Sequence, residues 1–311
     1  MTRVAAVDCG TNSIRLLVAD LDGAEGAPLR EVDRRMEIVR LGEGVDRTGR
    51  LSPAALDRTF AACDAYAAVI RSTGAARVRF VATSASRDVE NRDDFVAGVR
   101  ERLGVEPEVV TGDEEARLSF AGATRELLGG QAETPFLVVD IGGGSTELVL
   151  GGRDVTAARS VDVGCVRMTE RHLHDDPPTA EQVAAARSDV EAAVRDAGRS
   201  VPLGQARTLV GLAGSVTTVA AMALDLPAYD RDRIHHARIS STDVHEVART
   251  LLGMTRAQRA ALPFMHPGRV DVIGAGALVL AVVLENVPVD EVLVSEHDIL
   301  DGIAFSIAGL A

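Results

Sequence analysis

No apolar run in this chain approaches the length of a bilayer span, so a membrane-spanning helix is not expected. The start, Met1-Thr2-Arg3-Val4, passes straight into a strand-like segment, and the expectation is a protein without a secretory leader. Cysteine is scarce. Cys9, Cys63 and Cys165 are odd in number and far apart, which offers neither a disulfide framework nor a zinc site and points to the cytoplasm. Low-complexity tails and coiled-coil heptads are missing too. Positive charge is in deficit, 33 Lys and Arg against 46 Asp and Glu for a net charge of −13, which argues against a general nucleic-acid surface.

What is present is glycine in turns. Phe136–Val139 runs into Asp140, then Gly142-Gly143-Gly144, then the alternating segment Ser145–Leu150. That pattern predicts a strand, a tight turn and a second strand. Three glycines allow positive φ and let a ligand approach bare N–H groups, and successive N–H groups in such a turn form an anion site. The N-terminus repeats the pattern. Laid on it without a gap, Asp8 falls on Asp140, Gly10 on Gly142 and Ser13 on Ser145. The copies stand about 130 residues apart, too far for a solenoid and suited to two related domains. A third turn, Gly211-Leu212-Ala213-Gly214-Ser215, lies between an apolar run and a predicted helix at Val216–Leu224, again the geometry of an anion site.

A phosphate ligand and a net negative chain are compatible. Backbone N–H groups, a divalent cation and a few arginines can hold phosphate locally, while distant surface carboxylates are screened.

Between these turns the chain alternates strands and helices. A meander at Val4–Val7, Ile14–Asp20 and Glu37–Leu41 precedes a helix at Pro53–Arg71 with Ser52 as N-cap and Gly74 past its end. Strand Arg77–Ala82, a helix near Arg92–Leu103, strand Pro107–Val110 and a helix opening at Gly112 follow, closed by Gly129-Gly130. The second half repeats the alternation and ends in a helix at Ile299–Ile307. The division expected is 1–130 and 131–311, leaving open that the last helix packs back on the first domain.

Asp8 and Asp140 each end a strand just before a phosphate turn. Each reads either as an Asx-turn residue or as a contact to a divalent cation, and their matched positions favour the cation. Glu147, the one acid in an apolar strand, shares a face with Ser145 and Val149 and points into a cleft or to solvent. Glu114 and Glu115 open a helix, where acids complement the dipole, yet a carboxylate at a strand C-terminus could also orient a water for attack on phosphorus. Arg87 follows Thr83, Ser84 and Ser86 and suits a terminal phosphate, unless it is paired with Asp88 or Glu90 on the surface. Asn91 reads as a helix N-cap. The seven histidines complete no zinc set, and loop or surface roles are expected for them.

The blocks Asp8–Ser13, Thr83–Arg87, Gly112–Ala116 and Asp140–Glu147 occur in the order of the exopolyphosphatase/guanosine pentaphosphate phosphohydrolase family. With Gly211–Ser215, the chain resembles short, two-domain actinobacterial-type members over essentially its whole length. The resemblance implies an α/β chain with the actin-like ATPase fold (that of sugar kinases, heat-shock ATPases and actin), two ribonuclease-H-like domains around a cleft. It implies Mg²⁺- or Mn²⁺-dependent removal of the terminal phosphate of inorganic polyphosphate, and conversion of guanosine pentaphosphate to tetraphosphate as a second activity. By position, Glu115 matches the catalytic glutamate, with Glu147 and Arg87 beside the reacting phosphate and Asp140 and Asp8 at the metal. Thr11, Asn12, Ser13, Gly142, Gly143, Gly144, Ser145, Gly214 and Ser215 match the phosphate grip. A homodimer is the family expectation, with neither nucleic acid nor membrane as partner. Where relatives carry a Gly-Leu-Arg-Glu-Gly-like segment, this chain has Asp298-Ile299-Leu300-Asp301-Gly302, without the arginine. A kinase of the same fold and a non-enzymatic polyphosphate or alarmone sensor are the rival readings.

Overall fold

The computed structural model describes residues 2–22, 29–87, 89–128 and 130–309. The chain divides into two compact units, Met1–Glu126 with Asp298–Ala311, and Leu127–His297. The crossing therefore falls at 126/127 where the sequence suggested 130/131, and the C-terminal helix is counted with the first unit.

In the first unit β1 (Thr2–Cys9), β2 (Ser13–Leu21) and β3 (Arg30–Ile38) form an antiparallel meander. The short helix α1 (Val45–Thr48) leads to α2 (Pro53–Thr73), where Ser52 accepts the Ala55 N–H and Gly74 closes the helix in the left-handed conformation. β4 (Arg77–Ala82), the single turn α3 (Ser84–Arg87), α4 (Arg92–Leu103), β5 (Glu108–Val109) and α5 (Gly112–Thr124) complete the alternation. Strand order is β3-β2-β1-β4-β5, with β4 and β5 parallel to β1. Because β1 is central, both its faces are apolar: Ala5, Val7 and Cys9 pack with Tyr66 and Phe95, while Val4 and Ala6 pack with Leu118, Leu300 and Ile303.

The second unit repeats this plan. β6 (Phe136–Ile141), β7 (Thr146–Gly151) and β8 (Val155–Val161) form the meander, followed by α6 (Cys165–His172) and α7 (Ala180–Ala197). Next come β9 (Thr208–Leu212), α8 (Ala213–Ala223), α9 (Arg231–Ile234), β10 (Arg238–Ser240), α10 (Ser241–Gly253), α11 (Arg256–Ala260), the wholly buried α12 (Ile273–Leu284) and β11 (Glu291–Val294). The order β8-β7-β6-β9-β11-β10 is the first sheet's order with one antiparallel edge strand added. Three antiparallel strands followed by parallel ones, twice over, make this the two-domain α/β architecture of the actin-like ATPase fold. The last helix, α13 (Ile299–Ile307), packs on the β1 sheet.

Three local expectations change. The third strand starts at Arg30 rather than Glu37, because Arg30–Ile38 is a charged edge strand whose hydrophobic signal is weak. α8 begins at Ala213 rather than Val216, with Ala213 itself at φ 67°. Asn91 makes no cap bond. Its amide instead brackets Leu51, accepting from the Leu51 N–H (2.9 Å) and donating to the Leu51 carbonyl (3.0 Å). Gly129 lies outside the described residues.

Candidate active site

Each unit carries its own glycine turn, and the two are built alike. In the first, Gly10 donates to the Ser13 carbonyl (2.9 Å); in the second, Gly142 donates to the Ser145 carbonyl (3.0 Å). The carbonyls between are turned into the protein. Thr11 O accepts from Gly42, and Asn12 O from Val39 and Arg40. In the second turn Gly142 O accepts from Cys165, Gly143 O from Val166 and Arg167, and Gly144 O from the Arg167 side chain. In a planar trans peptide the next N–H points opposite the carbonyl. The Asn12 and Ser13 N–H groups, and those of Gly143, Gly144 and Ser145, therefore point away from these supports, as a concave anion site requires.

The expected use of positive φ is not what selects glycine here. Neither Gly10 nor Gly142 lies in the left-handed region. At Gly142 close approach is the cause: a Cβ there would stand 3.0 Å from Ser145 O, and one on Gly164 would stand 2.4 Å from Gly143 O, whereas one on Gly10 would make only ordinary contact at 3.7 Å.

In the first unit Arg87 and Glu115 come together. The Arg87 Nη2 donates to Glu115 Oε2 at 2.5 Å, and its Nε to the Val110 carbonyl at 3.1 Å. Glu115 is buried in the first turn of α5, while its neighbour Glu114 turns outward to Arg79. Of the surface partners considered for Arg87, Glu90 pairs with Arg50, and Asp88 lies outside the described residues. The Thr11 and Ser84 hydroxyls meet at 2.9 Å, joining the glycine turn to the turn that carries Arg87.

Asp8 has an arginine partner that the sequence reading missed. The β1–β2 register sets Asp8 opposite Arg15, whose Nε and Nη2 both donate to Oδ2 at 3.0 and 2.6 Å. Oδ1 is buried without a hydrogen-bond partner. Burial pushes the Asp8 carboxyl above the usual range, and the Arg15 guanidinium offsets this only in part.

In the second unit the same register place is held by Glu147, opposite Asp140. Both carboxylates are buried, at 7% and 1% exposure, and the Ser160 hydroxyl donates to Glu147 at 2.7 Å. Like charges directly opposed across a ladder, out of water, are costly unless a cation is shared. Where the first hairpin supplies its own guanidinium, the second presents two acids, and that donor set fits a divalent cation.

At the third turn a Cβ on Gly214 would stand 2.3 Å from Arg269 Cζ, so the guanidinium lies directly over the glycine. Arg269 also donates to Thr218 Oγ1 (3.3 Å), which itself donates to Gly214 O (2.6 Å). Arg269 went unread as a site residue, although an arginine between Pro267-Gly268 and an apolar helix was a visible signal. The Ser215 hydroxyl is turned inward, against Gly276 of α12 beside Cys165, which leaves its backbone N–H as what it offers an anion. Four of the seven histidines take bonding roles: His172 faces Asp189, His245 faces Glu285, His266 accepts from Gly268 N–H, and His235 accepts from Glu296 N–H.

Among the described residues no helix is long and apolar enough to cross a membrane. The model of the Ppx/GppA phosphatase family matches residues 17–310. The chain is 54% identical to Exopolyphosphatase 2 of Mycobacterium tuberculosis over 99% of both chains. It is similar to a crystal structure described as an exopolyphosphatase-like protein, with a TM-score of 0.95 and 43% identity over 98% of this chain and 97% of that one. It is also similar to the PPX-GPPA enzyme of Aquifex aeolicus, with a TM-score of 0.81 and 30% identity over 98% and 99% of the two chains.

Proposed function

The chain belongs to the Ppx/GppA phosphatase family, and on that footing we propose that it is an exopolyphosphatase, a phosphoric anhydride hydrolase that removes the terminal phosphate of inorganic polyphosphate with Mg²⁺. The observation that carries the reading is the opposed, buried pair Asp140–Glu147 beside a turn whose N–H groups face away from the protein.

The roles follow from the chemistry of phosphoryl transfer, which asks for in-line positioning and neutralisation of charge. Gly143, Gly144 and Ser145 offer N–H groups to phosphate oxygens, as do Asn12 and Ser13, with the Thr11 hydroxyl beside them. Within the second unit Asp140 and Glu147 would hold a divalent cation, and within the first unit Asp8 would offer a cation its unpartnered Oδ1. When bound, the cation neutralises charge on the phosphate oxygens. Gly214 N–H and Arg269 serve a neighbouring phosphate at the start of α8.

Arg87 and Glu115 form a couple with a built-in exchange. A phosphate that takes the Arg87 guanidinium competes with Glu115 for it and frees that carboxylate to orient the attacking water. Guanosine pentaphosphate ends in the same anhydride linkage and is the second substrate considered. Three buried free cysteines suit a reducing compartment, consistent with work in the cytoplasm.

Orthophosphate release with Mg²⁺ tests this, using polyphosphates of several lengths, guanosine pentaphosphate and ATP. Polyphosphate turnover is expected, falling at least about 10²-fold in Glu115→Gln with substrate binding retained. Turnover of guanosine pentaphosphate alone would keep the mechanism and change the substrate. ATP-dependent transfer to an added acceptor would indicate the kinase, and binding without any release the sensor.

A further inference from the structure

The segment Asp298-Ile299-Leu300-Asp301-Gly302, which lacks the arginine of the resembled family, has other work in this chain. Asp298 caps α13, accepting from the Leu300 N–H at 2.9 Å, and its own N–H donates to Asp301 at 3.0 Å, closing a capping box. Both carboxylates also receive arginines from the meander: Arg15 of β2 reaches Asp298, and Arg34 of β3 reaches Asp301 at 2.5 Å. Arg15 is the same side chain that holds Asp8 by Oδ2.

Backbone packing leaves this arrangement little freedom. A Cβ on Gly302 would stand 1.9 Å from the Leu118 carbonyl oxygen, and one on Gly122 would stand 1.9 Å from the Asp298 carbonyl oxygen. α13 and α5 therefore touch backbone to backbone, and the position of Asp298 is set by the helix that carries Glu115.

The charges make a simple account. Arg15 on Asp8 alone would leave a neutral pair with little to offer a cation. Asp298, drawing on the other end of the same guanidinium, restores one negative charge; with Asp301 and Glu31 both on Arg34, four carboxylates face two guanidiniums in the group as a whole. Both Arg15 bonds to Asp8 go to Oδ2, which leaves Oδ1 buried and unpartnered, an acceptor for the water of a hydrated cation.

We propose that Asp298 is a positioning residue for a divalent cation at Asp8, acting through Arg15: it holds the guanidinium to one oxygen and offsets its charge, so that Oδ1 remains an anionic acceptor. The inference rests on the preceding reading that Asp8 contacts the cation.

The test is Mn²⁺ binding by titration calorimetry, with no substrate present, on the whole chain and on Asp298→Asn, Asp8→Asn and the double variant. Asparagine caps a helix as well as aspartate, so the fold is expected to persist, checked by circular dichroism. Asp298→Asn should weaken Mn²⁺ about tenfold, the loss typical of an outer partner of a metal ligand. In the Asp8→Asn background it should weaken nothing further, because its effect passes through Asp8. Unchanged Mn²⁺ affinity in folded Asp298→Asn, or losses that add independently in the double variant, would overturn the proposal. Should Asp298→Asn not fold, Arg15→Lys keeps the charge and loses the two-sided fork. Weaker Mn²⁺ binding in it supports the proposal, and wild-type binding overturns it. A wild type that binds Mn²⁺ yet releases no phosphate would remove the hydrolase reading and leave this one standing.

Discussion

Arg15 and Glu147 occupy equivalent register positions in two copies of one hairpin, and their opposite charges divide the labour between the copies. The first copy pairs its acid with a guanidinium of its own, while the second sets two buried acids opposite each other. The gapless superposition that matched Asp8 to Asp140 also placed Arg15 on Glu147, so this difference was legible in the sequence. The contact from Arg15 to Asp298 was not, because 283 residues separate the two. That contact has a consequence in acid. Burial acts to raise the Asp298 carboxyl, but Arg15 and Arg34 outweigh it and hold the group below its ordinary value. Stability from this group is fully present above the unfolded carboxylate range. It is lost as pH falls through the depressed folded value, since there the unfolded chain binds the proton first. The melting temperature of Asp298→Asn should therefore fall less steeply than that of the wild type as pH drops below the ordinary carboxylate range. Parallel slopes in a pH series of thermal melts would refute the assignment.

Glycine shows at the scale of elements what a pattern can and cannot tell. Its clustering marked all three turns, yet the reason for it was misjudged. Gly142 serves close approach within its own turn, to Ser145 O, rather than positive φ, and Gly164 serves the approach of the segment before α6 to that turn, which depends on a chain arriving from elsewhere. Gly302 was read only as part of a departing segment, and the structure makes it the contact between α13 and α5. Gly302→Ala must push backbone against backbone, which no side-chain rotation relieves. A loss of roughly 1–3 kcal/mol is expected by chemical denaturation, of the size of an overpacked core. Ser306→Ala on the same helix gives up a hydrogen bond from Arg79 but forces no backbone contact, so it should cost less, and equal losses would show that the helix crossing is not tight. The edge strand Arg30–Ile38 was placed late for a related reason. Its charges protect the sheet edge and erase the alternation that reveals interior strands.

Across the whole molecule, the composition of each unit is a tertiary matter. Ile299, Leu300, Ile303, Ala304, Phe305 and Ile307 cover one face of the first sheet, against Val4, Ala6, Leu17 and Val81. A chain ending at His297 uncovers that face, and its first unit should lose its cooperative calorimetric transition. A fragment of residues 127–297 keeps its own core and should melt cooperatively. Retention of both transitions in the truncated chain would show the helix to be dispensable.

By itself the sequence determined the repeated strand–glycine–strand hairpins, the alternation of strands and helices, and the family. These are short-range signals, written in patterns of a few residues and in turn chemistry. Only the tertiary structure decided that Arg87 meets Glu115, that Arg269 lies over Gly214, that Ser215 turns inward and that Asp298 reaches Asp8 through Arg15. Each of these depends on where distant backbones pass, and no local pattern specifies that.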